Sequence, residues 1–253
     1  MKLVHWLLLS VLSLPTLANE TISVASGEYP PFSGHNLPHE GYVSHLVRLA
    51  YGLQGIEVDY EYMPWARSLE ETSLGHYGVS IFWFCTQERK LDFYCSEQSL
   101  IAEAVNIFHR VDTELGDWKS YRDLTRFRFG LTRGYAYDQK ILDAVDQGIL
   151  SGEFVGSDLQ NMRKLLAGRI DLFLIGEESG NDILNQHFSA QQREEITMDS
   201  TPIFISNFHV LFSKAHPKAR YWQEQFDSGM AKLKASAKFH KLRADFEAGK
   251  YNR

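Results

Sequence analysis

The sequence predicts an α/β fold in which one architecture is laid down twice. Three observations predict it. Apolar runs of strand length alternate with helix-period segments from residue 21 onward, the order that gives parallel strands joined by right-handed crossovers. A second, smaller series of the same kind restarts at Arg126, so a boundary falls near residue 110. Each series also holds one near-continuous apolar run, at 79–85 and 171–175, of the kind a strand buried on both faces requires.

Residues 21–25 alternate β-branched and small residues and read as the first strand. Gly27-Glu28-Tyr29-Pro30-Pro31-Phe32 follows as a rigid turn that fixes two aromatic rings at the strand's end. After a polar loop with Gly34, Pro38 and Gly41, the residues Val43, Leu46, Val47, Ala50 and Leu53 share one helical face, and Gly55 closes that helix. Residues 56–63 alternate as a second strand. Pro64-Trp65-Ala66-Arg67 opens the next helix, with proline near the first helical position. Gly75 and Gly78 bracket the turn into 79–85, and Thr86 caps a short helical turn carrying Arg89. Residues 93–96 are extended, 101–108 form another apolar strand, and 112–123 are polar and irregular.

In the second series 126–132 is a strand, Gly134-Tyr135-Ala136-Tyr137 its turn, 141–149 a helix and 153–155 a strand. Leu159, Met162, Leu165 and Leu166 mark a helix ended at Gly168, and Gly176-Glu177-Glu178-Ser179-Gly180 is the turn after 171–175. A late strand at 207–213 leads into two amphipathic helices. One starts at Pro217 and carries Trp222, Phe226, Met230 and Leu233; the other runs to about Ala248, and their rings are assigned to core packing.

The 253 residues allow one large or two small domains, and 44% hydrophobic with 23% charged residues is ordinary for a soluble globular chain. A net charge of −6 without a Lys/Arg cluster argues against a nucleic-acid partner. Residues 1–18 read as a signal peptide: Met1-Lys2, an apolar stretch from Leu3 to Leu14, then Thr16-Leu17-Ala18 as the cleavage signal. Cleavage after Ala18 releases an exported protein that is not embedded in a membrane, and no cysteine follows to carry a lipid. Cys85 and Cys95 then lie in an oxidising compartment. A disulfide closing a small loop around Arg89 is one reading and two buried thiols the other.

Arg89 stands at the carboxyl end of the buried strand 79–85, where open α/β sheets place their ligands, and its planar fork of donors suits a flat anion. A surface arginine paired with Asp92 or Glu88 is the plainer reading. His35 and His39 have four-residue spacing, but Pro38 denies them the helix that would align both imidazoles, so no metal site is expected. No Ser-His-Asp order or nucleotide-binding glycine motif stands out, and no cofactor is expected.

In their order and spacing these residues resemble the exported type II solute-binding proteins of family 3, the amino-acid-type substrate-binding proteins of ABC transporters. The resemblance covers nearly the whole mature chain. It is carried by Tyr29-Pro30-Pro31-Phe32, Gly41, Trp65, Thr86-Gln87-Glu88-Arg89 with Phe93 and Ser96, Gly134, Gly168-Arg169-Ile170-Asp171 and Phe212-Ser213-Lys214. It implies a periplasmic-binding-protein-like fold of two lobes, 19–109 with 207–253 and 110–206, joined by two crossover strands. A ligand cleft lies between the lobes, and a membrane transporter permease is the partner of a monomeric, periplasmic protein. It also implies a carboxylate-binding role for Arg89 with Thr86 beside it, and flanking rings at Tyr29 and Trp65.

The chain departs from that pattern where the ligand sits. Phe82, Trp83 and Phe84 replace small hydroxyl residues, Tyr135 follows Gly134 where serine or threonine is usual, and the acid that meets an α-ammonium falls near Gly176, with Glu177 one place later. Closing a cleft over a zwitterion strips water from both charges, and each polar group left bare costs ~1–3 kcal/mol. Rings in place of hydroxyls therefore favour a ligand with an anionic group and a planar or apolar body. Trp65 has a core reading beside its ligand reading, Arg67 reads foremost as a solvated helix face, and Tyr135 and Tyr137 stand either at the cleft edge or on a lobe surface. The expected function is capture of a small solute. The alternatives are a cleft-based lyase resembling cyclohexadienyl dehydratase, with Glu177 and Arg89 as its charged pair, and a ligand-reporting role with a sensory partner.

Overall fold

The computed structural model describes residues 20–135 and 137–252; the expected export segment lies outside them. In the first series β1 (Glu20–Ser26), α1 (Tyr42–Gly52), β2 (Ile56–Tyr62), α2 (Trp65–Ser73) and β3 (Val79–Phe84) alternate as the apolar spacing predicts. β1 pairs in parallel with β2 and β3. α1 turns Val43, Leu46, Val47, Ala50 and Tyr51 inward, the i, i+3, i+4 stripe that gives an amphipathic helix its packing face. A short α3 (Arg89–Asp92), β4 (Phe93–Cys95) and the long β5 (Ala102–Arg110) follow.

The second series repeats the pattern with β6 (Arg128–Thr132), α4 (Gln139–Asp146), β7 (Ser151–Val155), α5 (Asp158–Leu166) and β8 (Leu172–Gly176), where β6 is parallel to both β7 and β8. Asp138 and Ser157 cap α4 and α5 through their side chains. Then come α6 (Glu177–His187), α7 (Ala190–Glu194), β9 (Ile196–Ser213), α8 (Ala219–Lys234) and α9 (Ala237–Glu247).

The strands form one sheet in the order β2-β1-β3-β9-β5-β8-β6-β7, with β4 added alongside β9. The parallel strands of the two series thus flank a central antiparallel pair, β5 and β9, whose register runs from Ala102 opposite Asn207 to Arg110 opposite Ile196. β9 alone reaches both sides, pairing with β3 and β4 through residues 208–213. The closing α8 packs on α1 of the first series. A Cβ at Gly229 would overlap the Ala50 carbonyl, so the two helices cross where no side chain fits.

Two sequence expectations are corrected. The late strand is 18 residues long, not seven, because Asp199, Ser200 and Pro202 break its apolar pattern without ending its pairing. The ladder is irregular between Val105 and Ile107, opposite that stretch, as the missing proline N–H requires. Residues 177–180 are not a turn but the first turn of α6. Gly180 is small because the Phe108 ring fills the space a Cβ would take, and the Ser179 hydroxyl donates to the Pro30 carbonyl at 2.8 Å. Close packing, rather than chain reversal, put glycine there.

Candidate functional site

The site begins with a break in β3. All six of its residues are buried, and Phe82 takes a left-handed φ of 69° while the register with β9 shifts between Ser80 and Trp83. Such a backbone costs on the order of 1–3 kcal/mol for a bulky residue. The resulting bulge suspends the alternation of a strand, so the consecutive residues Phe82, Trp83 and Phe84 all line one cavity. Phe82 is compensated by stacking on Phe208, with ring centres 3.9 Å apart and planes 3° from parallel.

That cavity lies between the two series. Tyr29 and Trp65 close it from the first series and Tyr135 from the second, with Trp65 meeting Trp83 edge-on at 5.1 Å and Tyr135 at 6.2 Å. Three hydrogen bonds join the two series around it. Arg89 Nη2 donates to the Gly134 carbonyl at 3.2 Å, the Gly176 N–H points to the Tyr29 hydroxyl at 3.4 Å, and Ser179 holds Pro30. Gly134 has φ 86°, and a Cβ there would come within 2.9 Å of the Ala66 nitrogen, so the approach itself requires glycine.

Arg89 is 8% exposed. Its Nη1 donates to the Phe84 carbonyl at 2.9 Å, its guanidinium lies 4.6 Å from the Trp83 ring centre, and Thr86 Oγ1 accepts its backbone N–H at 3.2 Å. The pairing with Asp92 or Glu88 is not formed: among the ion pairs of the described residues Arg89 has none. Burial holds its pKa down to about 10, so it stays charged at neutral pH. Cys85 and Cys95 are joined, with Cα atoms 6.1 Å apart, and the bridge encloses the Arg89 turn.

The structure therefore brings Arg89, Tyr29, Trp65, Trp83, Phe84 and Tyr135 to one cavity, with Tyr137 beside them. Thr86 stands behind Arg89 as its cap rather than in the wall. Arg67 is solvated and paired with Glu71. Glu177 is exposed and borders a separate outer opening, because α6 begins there and turns it away from the cavity. Two acids that the sequence reading passed over stand closer. Glu103, on β5, is buried in the wall and receives the Tyr29 hydroxyl at 3.4 Å on each oxygen. Asp158 turns its oxygens onto the Tyr135 hydroxyl, at 2.6 Å, and the Thr132 hydroxyl. Burial raises Asp158 to about 6 and Glu103 well above the usual carboxylate range, the latter with help from Glu178. Tyr29 and Tyr135 are likewise pushed well up by burial, which keeps both hydroxyls protonated as donors.

Solved structures share this architecture over almost its whole length. An ancestral arginine-binding protein bound to arginine superposes with a TM-score of 0.74 at 16% identity, covering 89% of this chain and 97% of its own. The two-lobed periplasmic-binding-protein fold is shown. A histidine kinase sensor domain with similarity to periplasmic binding proteins reaches 0.77 at 16% identity, over 90% and 96% of the two chains. An amino acid ABC transporter substrate-binding protein from Streptococcus pneumoniae, bound to L-arginine, reaches 0.73 at 16%, over 92% and 97%. No protein-family profile and no curated protein sequence matches the chain.

Proposed function

We propose that this chain is an exported, periplasmic solute-binding protein of the amino-acid type, working as a monomer and passing its ligand to a membrane transporter. Residues 19–109 with 207–253 form one lobe and 110–206 the other, and the lobes close over a small solute with an anionic group and an aromatic or apolar body. The observation that carries this reading is Arg89: a charged guanidinium kept out of water at the wall of an aromatic cavity, held by two backbone carbonyls and the Trp83 ring. Its ligand-binding companions are Tyr29, Trp65, Trp83, Phe84 and Tyr135. The arginine-bound neighbours of the same fold support the solute-binding role.

Melting of the mature chain against amino acids, aromatic acids, polyamines and small oligosaccharides tests it. A true ligand at a hundred times its Kd stabilises the fold by about 2.7 kcal/mol. No shift with any class would sink the reading. The likeness to a sensor domain supports a second reading, in which the closed lobes report to a membrane sensor instead of delivering ligand. The lyase alternative loses its proposed acid, since Glu177 faces away from Arg89's cavity.

A further inference from the structure

Glu103 has no structural explanation of the ordinary kind. It is 4% exposed, lies on the wall of the cavity, and meets only the Tyr29 hydroxyl, at distances long for an O–H···O bond. Among the described residues it enters no ion pair, and the charges that act on it most, Glu178 and Asp158, are acids. A carboxyl group withdrawn from water without a cation gives up its charge, and a cation seated beside it restores that charge.

The chain has nevertheless cleared room for it. A Cβ built at Gly176 would fall on the Glu103 carboxylate, and the three nearest atoms it would meet all belong to that side chain. Gly176 has an ordinary φ of −64°, so its backbone does not ask for glycine. The acid expected from the end of β8 has in effect changed strands: it arrives from β5 into the space a side chain at 176 would fill. The rings of Tyr29, Trp65 and Tyr135 line the same cavity as Glu103, and ring faces attract cations. The outer opening that borders Glu103 carries Glu177, Glu178 and Glu247 against a single Arg243, a field that gathers cations toward it.

We propose that Glu103 is the acidic anchor of the ligand site and that the ligand carries an ammonium group, protonated or quaternary, seated against Glu103 among the rings. Any acid group of the same ligand is left to Arg89. This rests on the solute-binding reading above and replaces its anionic solute with a cationic or zwitterionic one.

The test uses probes that share a body and differ in charge: phenethylamine, L-phenylalanine and 3-phenylpropionate, together with choline and its uncharged carbon isostere 3,3-dimethylbutan-1-ol. Titration calorimetry on the mature chain is expected to show the ammonium-bearing members binding at least ~10-fold tighter than their counterparts. Glu103→Gln is expected to weaken them on the order of 30-fold or more while 3-phenylpropionate is unaffected. The strand exchange supplies a second variant. Gly176→Asp alone is expected to lower the melting temperature by collision with Glu103, whereas Glu103→Ala combined with Gly176→Asp restores ammonium binding from the other strand.

Equal affinity across each body-matched set, or unchanged affinity in Glu103→Gln, overturns the proposal and leaves the solute-binding reading intact. If no probe binds the wild-type chain the proposal also falls. The broader melting screen then decides the parent reading: an anionic or neutral hit keeps it, and no hit removes both.

Discussion

Reduction of the Cys85–Cys95 bridge separates what holds the Arg89 turn together from what makes it work. The bridge closes a loop of ten residues in sequence. The chain-entropy relation then gives a loss of about 9 cal/mol/K, or roughly 2.7 kcal/mol at 298 K, through the unfolded state. For a chain of this size that is a fall in Tm of about 5–10 °C. The folded turn keeps other anchors: Thr86 accepts the Arg89 N–H, two carbonyls and the Trp83 ring hold the guanidinium, and β4 stays paired to β9. Affinity for a ligand found in the melting screen should therefore change by less than ~3-fold, far less than stability. The assay is thermal unfolding of the mature chain with and without a non-thiol reductant, with free thiols counted and the ligand titrated in both states. An unmoved Tm would show that the loop is not the constraint inferred here. A collapse of affinity beside a small Tm change would show that the bridge itself, not the surrounding bonds, positions Arg89.

Arg89→Ala should weaken an anionic ligand by ~2 kcal/mol or more, read by calorimetry, and unchanged affinity would reject Arg89 as the anchor. Asp158 is raised to about 6, so its contribution to stability is complete below about pH 4 and is lost as pH rises through about 6. The lost amount is on the order of 3 kcal/mol, and Asp158→Asn should flatten the wild-type fall in stability across that window in denaturant titrations at pH 4 and 7. Gly229→Val would force side-chain atoms into the Ala50 carbonyl at the crossing of α1 and α8 and should cost ~2 kcal/mol or more, seen as a lower denaturation midpoint; a neutral result would mean the helices part easily.

The layered order of the fold is legible because burial imposes a period. β1, β2 and the buried runs of β3 and β8 carry the apolar spacing their positions demand, and α1 and α8 carry the helical stripe. The first half of β9 is not legible, since Asp199, Ser200 and Pro202 interrupt a strand whose pairing is supplied by β5 from almost a hundred residues away. Gly180 misleads for the same reason. Its smallness answers to Phe108 on a distant strand, and from the sequence it is indistinguishable from a turn glycine.

The site divides along the same line. Arg89, Tyr29 and Trp65 follow directly on strand ends, so local order places them. The resemblance sets Phe82, Trp83 and Phe84 at the ligand end of their strand, but that all three line the wall depends on a bulge no local residue announces, since Phe82 is a residue of high strand preference in a left-handed conformation. Glu103 is the instructive case. Within the strand 101–108 it is an acid on the inward face, between an exposed Ala102 and a half-buried Ala104, where the alternation asks for an apolar side chain. Read together with a glycine where an acid is expected at 176, the misfit is a compensated pair: one strand gives up a side chain and its neighbour supplies the charge. The pairing that makes the exchange possible, Val105 opposite Gly176, exists only once β5 and β8 lie side by side. A buried acid that breaks the pattern of its own element, facing a glycine in the next, is the feature on which the proposed ammonium site rests, and no local motif of this chain announces it.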